Sequence, residues 1–178
     1  MKKNRFSAYV ASILLLAVLT SCSNKPVGIE VCPEVAFLDG LDQMTFFKDE
    51  SSADISNVLF SSKMRQLDFG CSFVAKGAEV EVVFTIESRL ALAKKETLVE
   101  IAYFIAAVNP NGKILAKQVF DLDIPFSPKK LKVIQKEKVS PFFPSRTGND
   151  FTGYKVLIGF QLTKNQVNFN LQNRRLIN

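Results

Sequence analysis

Leu98-Val99-Glu100-Ile101-Ala102-Tyr103-Phe104-Ile105-Ala106-Ala107-Val108, then Asn109-Pro110-Asn111-Gly112, then the run from Ile114 to Ile124, together decide the fold. The first run is apolar on both faces apart from Glu100. Its alanines would also suit a buried helix, but its β-branched and aromatic residues favour a strand. The second run alternates, with Ile114, Ala116, Phe120, Leu122 and Ile124 on one side and Lys117, Asp121 and Asp123 on the other. Two such runs joined by a Pro-Asn-Gly turn predict a β-hairpin, with the first strand central in its sheet and covered on both sides.

Working outward, Val80 to Glu87 has the cleanest period of two. Val80, Val82, Phe84 and Ile86 share one face, while Glu79, Glu81, Thr85 and Glu87 share the other, with Val83 the exception. That pattern is a strand with one buried and one wet face. Upstream, strand-like runs cover Val35 to Leu38, Thr45 to Phe47, Ile55 to Ser62 and Leu67 to Val74, separated by turn residues such as Asp39-Gly40 and Lys76-Gly77. Downstream, Leu131 to Val139 sets Lys132, Lys136 and Lys138 on one face, a pattern that protects an edge strand from aggregation. Pro141-Phe142-Phe143-Pro144 and Ser145 to Gly153 read as a loop, and Tyr154 to Leu162 as the last strand. Thr163-Lys164-Asn165-Gln166 is a capping box that opens a short helix from Lys164 to about Asn173.

About eight short strands spaced by turns predict a mainly β chain, an antiparallel β-sandwich with a short C-terminal helix. The chain lacks a Cys-Trp-Cys framework, so an immunoglobulin-like topology is an analogy only. No second domain, internal repeat or low-complexity tract interrupts residues 32–178, which read as one domain.

The N-terminus carries an address. Met1-Lys2-Lys3-Asn4-Arg5 is basic, Tyr9 to Leu19 is apolar, and Leu19-Thr20-Ser21-Cys22 closes the segment. The apolar run is shorter than the roughly 20 residues of a membrane-spanning helix. The pattern resembles the signal peptide and lipobox of bacterial lipoproteins. That resemblance implies cleavage after residue 21, acylation of Cys22 (palmitate among the chains) and a tether over residues 22–31. Ser23 stands where an aspartate would retain such proteins at the inner membrane, which is similar to outer-membrane sorting. Each buried methylene of an acyl chain contributes about 0.8 kcal/mol, so several chains anchor firmly. A plain secretory signal, cut at another small residue, is the alternative.

Further residues extend the likeness: Cys32-Pro33-Glu34-Val35-Ala36-Phe37-Leu38, Cys71, Phe104 to Pro110 with Asn111-Gly112, Ile114-Leu115-Ala116-Lys117, and Tyr154 to Thr163. Across most of the mature chain these resemble a family of small envelope lipoproteins from alphaproteobacteria. The resemblance implies a periplasm-facing envelope protein and brings no catalytic residues with it.

Composition narrows the chemistry. The 178 residues include no histidine and no tryptophan but 16 phenylalanines. Without histidine there is no His-based acid/base, triad or metal site. Two cysteines remain beside Cys22, and in an exported chain Cys32 and Cys71 suggest one disulfide. Two buried thiols are the rival reading, and no other soft ligand is present to complete a metal site. The formal charge of +6 falls to +3 once Lys2, Lys3 and Arg5 leave with the signal, which weakens any argument for nucleic acid.

Charge is uneven along the mature chain. Residues 22–123 sum to −5 and residues 124–178 to +8, through Lys129, Lys130, Lys132, Lys136, Lys138, Arg146, Lys155, Lys164, Arg174 and Arg175. Such a field could meet anionic lipid headgroups or an acidic envelope protein, or it is simply a solvated face. Phe142 and Phe143 either form an exposed anchor for a partner or fold back to plug one end of the sandwich. Glu79, Glu81 and Glu87 read as a wet strand face rather than a cation site. Ser72, Ser88 or Ser145 beside a lysine would be a nucleophile without a motif. The expectation is therefore a membrane-anchored, non-enzymatic interaction or structural module with no cofactor. A carrier or sensor of a lipid or small apolar ligand is the alternative.

Overall fold

In the computed structural model, which describes residues 29–48, 55–145 and 148–173, the central hairpin forms around Asn109. The Asn109 side-chain oxygen accepts from the backbone N–H groups of Asn111 (3.1 Å) and Lys113 (2.8 Å), and Gly112 takes a φ of 77°. The signal segment, Cys22, residues 22–28 of the tether, and Arg146, Arg174 and Arg175 lie outside the described residues.

The chain runs β1 (Glu34–Phe37), β2 (Gln43–Phe47), a 3-10 turn (Ile55–Asn57), β3 (Val58–Val74), β4 (Gly77–Leu90), β5 (Thr97–Val108), β6 (Ile114–Phe126), β7 (Lys132–Val139), β8 (Phe142–Pro144), β9 (Lys155–Phe160) and α1 (Lys164–Gln172). Two sheets pack face to face. One has the order β1-β9-β5-β6, and the other has β2-β3-β4-β7 with β8 also on β4. Every pair is antiparallel except β1 with β9, which is parallel.

The β-sandwich and the capped helix are as the sequence predicts. Thr163 and Gln166 form the reciprocal capping box, with Thr163 N to Gln166 Oε1 at 2.9 Å. Three local readings change. Residues 55–57 of the first run are a 3-10 turn, and the rest of it joins the run at 67–74 in one strand, β3, bent by a bulge between Arg65 and Asp68 where Gln66 takes a φ of 52°. Residues 142–144 are not loop. They continue the line of β7 along β4 after a break at Ser140-Pro141, with Val80 N donating to Pro141 O at 3.0 Å. Prolines fit there because the strand is at a sheet edge. Gly77, opposite Pro144, has a φ of 148°, and a Cβ on it would lie 2.0 Å from the Phe143 carbonyl oxygen, so the β3–β4 turn admits only glycine.

The third change concerns cover. β5 lies between β9 and β6, but both of its faces are buried only from Tyr103 onward, while Leu98 and Glu100 are exposed. Leu38, Leu41 and Leu157 cover Phe104, Ala106 and Val108 on the outer face. Gly159 lets Leu41 approach, since a Cβ there would meet the Leu41 Cβ at 2.8 Å.

The main core fills the space between the sheets. Val80, Val82, Phe84 and Ile86 of β4 are buried with Ile101, Tyr103 and Ile105 of β5 and Val156, Ile158 and Phe160 of β9. Rings meet edge to face across the sandwich, Phe84 with Tyr103 at 5.5 Å and Phe60 with Phe126 at 6.0 Å. Each fully buried apolar side chain of this size contributes about 1.5–3 kcal/mol.

Candidate functional site

Edge strands present unpaired N–H and C=O groups that invite another chain, and proteins blunt them. Most edges here are blunted. The carbonyls of Gln43 and Thr45 on β2 accept from α1 side chains, Asn170 Nδ2 at 2.8 Å and Gln166 Nε2 at 3.4 Å. The Cys32–Cys71 disulfide, with Cα atoms 6.1 Å apart, ties the residues just before β1 to the half of β3 that β2 does not reach. β7 holds Lys132, Lys136 and Lys138 exposed along its outer face. The lower end of β6 is closed where Gln135 Nε2 donates to the Asp123 carbonyl at 3.3 Å.

The upper half of β6 is different. Opposite Asp121, the Ala102 carbonyl accepts from Gln161 N at 2.8 Å, so Ala102 turns its backbone groups toward β9. Asp121 must then turn its own N–H and C=O away from β5, and the period of two carries this to Val119 and Lys117. The outward carbonyl of Asp123 has the same parity. Among the described residues no strand pairs with that side of β6. From Ile114 to Phe120 the only charge is Lys117, with no proline or glycine. Ile114, Leu115 and Val119 are exposed at 57%, 53% and 48%.

Beside this edge a groove lies between the sheets. Ile105, Ala107, Ala116, Lys117, Gln118 and Phe120 of the first sheet and Val139, Ser140, Pro141 and Phe142 of the second line this groove of about 500 Å³. Its inner end abuts Tyr103, whose ring stacks on Phe120 at 5.1 Å and whose hydroxyl donates to Glu137 Oε2 at 2.8 Å. Burial, with the Glu137 carboxylate beside it, pushes that hydroxyl well above the ordinary tyrosine range. Ala116 is exposed because it lines the open groove, and Ile114 because a register shift at Leu115 sets it across from Val108 on the outer face.

The residues singled out from sequence fall in three places. Phe142 is half exposed at the groove, while its neighbour Phe143 is buried against Phe151 and Tyr154 and offers no surface. Alternation along β8 splits the pair. Lys132 and Lys138 lie 3.1 Å from Glu87 and 2.7 Å from Glu81, so the basic strand partly neutralises the acidic face of β4. Arg89 and Lys132 together hold the Glu87 carboxyl below its usual value. Lys136 is exposed on the same face. Cys32 and Cys71 are bonded.

Ser88 is buried against the Ser62 hydroxyl at 2.5 Å, and Ser145 donates to the Gly148 carbonyl. No cluster of three or more metal-ligating side chains occurs among the described residues. The β6 edge was missed from sequence, although the contrast between the lysines of β7 and the uncharged run flanking Lys117 was its signal. No family model matches the chain, and no curated protein or solved structure matches it.

Proposed function

We propose that this chain is a non-enzymatic interaction module of the bacterial envelope, exported, tethered through lipid on Cys22, and receiving an extended protein segment along β6. The observation that carries the reading is the outward backbone of Lys117, Val119 and Asp121, left open beside a groove lined by both aromatic and polar side chains, while the β2 edge is covered by α1. Main-chain hydrogen bonds along such an edge supply affinity, and a groove that takes alternate side chains supplies selectivity. The Cys32–Cys71 bond supports an extracytoplasmic address. Anionic headgroups are the weaker partner, since Lys132 and Lys138 already face carboxylates.

The test is a photo-crosslinking residue in place of Gln118, in the full chain expressed in its own envelope. A discrete protein adduct at position 118, absent when the probe replaces Glu79 on the outer face of β4, is expected. Equal labelling at both positions, or none at 118, overturns the docking edge. A second reading, a small apolar ligand held in the groove, is favoured by its volume of about 500 Å³, within the size range of ligand sites. It requires a fluorescent fatty acid to bind the purified chain and to be released by Phe142→Asp.

A further inference from the structure

We infer that the occupant of the β6 edge is a second copy of this chain, paired antiparallel about a two-fold axis at Val119. This rests on the reading of β6 as a docking edge and names its partner. Pairing β6 with itself about Val119 sets residue 117 opposite 121 and residue 121 opposite 117. Lys117 and Asp121 point to the same outer face of the sheet, so the pairing creates two identical Lys–Asp contacts flanking a Val119–Val119 contact. An axis at Phe120 would keep a Lys117–Asp123 contact but needs the Asp123 carbonyl, which Gln135 already occupies, and the remaining alternatives lose the match. An axis at Lys117 would set two lysines face to face, and an axis at Gln118 would set Lys117 against Val119 and Leu115 against Asp121.

The backbone agrees with this register. Lys117, Val119 and Asp121 are the residues whose N–H and C=O groups face the open side, so all three pairs are of the hydrogen-bonded kind, with about six interchain bonds. The strand ends where it should, because Gln135 occupies the carbonyl of Asp123 at 3.3 Å. Asp121 is exposed. Lys117 lies over the Phe104 ring at 4.2 Å and reaches Gln161 Oε1 at 3.0 Å, within a side-chain rotation of the new partner. On the inner side the Phe120 ring of each copy comes opposite Gln118 of the other, at the mouth of the groove. Two four-stranded sheets become one continuous sheet, and closed two-fold pairing uses up the edge instead of propagating. Tethering on one membrane would raise the effective concentration for so short a contact.

The test uses the full chain in detergent. In a hydrogen-bonded antiparallel pair the Cα atoms lie about 5.5 Å apart, within reach of a disulfide. Val119→Cys should therefore give a covalent dimer under mild oxidation. Leu115→Cys, about 27 Å from its counterpart by strand rise, should not. Lys117→Asp and Asp121→Lys should each weaken self-association roughly tenfold or more in sedimentation, because each sets like charges opposite each other twice. The double variant should restore it.

Monomers throughout, equal crosslinking at 115 and 119, or no rescue in the double variant would overturn the second copy as occupant. If the position-118 probe then still yields an adduct with a different chain, the docking edge survives and only its partner was misassigned. If that probe yields nothing, both readings fail. Should Val119→Cys not fold, the charge series alone decides.

Discussion

Ser62 and Ser88 put two hydroxyls into the sandwich core, 2.5 Å apart and shielded from water. Neither is costly while paired, but a lone buried hydroxyl loses its water without replacement. Ser88→Ala is expected to destabilise by about 1–3 kcal/mol, and adding Ser62→Ala should recover part of that loss, measured by denaturant unfolding. Tyr103 makes a second prediction. The folded state holds its proton more tightly than the unfolded chain, where tyrosine titrates near 10. Its contribution is therefore complete below pH about 10 and is lost as the pH rises through the folded value. Unfolding midpoints followed upward from pH 9 should fall more steeply for the native chain than for Tyr103→Phe.

Elements were legible where their neighbours are alike along their length. β4 alternates cleanly because one sheet covers its inner face from Ala78 to Leu90 and solvent wets the other. Legibility failed where cover changes along a strand. Ala116 keeps the apolar parity of Ile124 but faces an open groove, and a register shift at Leu115 moves Ile114 to the outer face opposite Val108. Likewise Pro141 and Pro144 punctuate like a loop, yet an edge strand tolerates them. The parallel β1–β9 pair was hidden because local periodicity carries no strand order. Between elements, the disulfide spans 39 residues and joins the segment just before β1 to β3. In the chain-entropy treatment it contributes about 4 kcal/mol. Cys71→Ser should lower unfolding free energy by about 2–4 kcal/mol and should leave β6 unaffected, because the bond lies on the opposite side of the sandwich.

At the scale of the molecule, the sandwich manages its exposed backbone by three separate devices: helix side chains on β2, lysines on β7, and Gln135 on the Asp123 end of β6. Residues 117–121 of β6 carry none of these devices and have a groove alongside. The composition already argued against acid/base chemistry through histidine, but the docking edge needed strand order, which decides which backbone groups find no partner. Amide hydrogen exchange at Lys117, Val119 and Asp121 tests this most directly. In the concentrated, assembled full chain these three amides should exchange as slowly as those of β5, and dilution to monomer or Lys117→Asp should release them selectively. Fast exchange at all three in the assembled protein, unchanged by dilution, would contradict the assignment of β6 as the occupied edge.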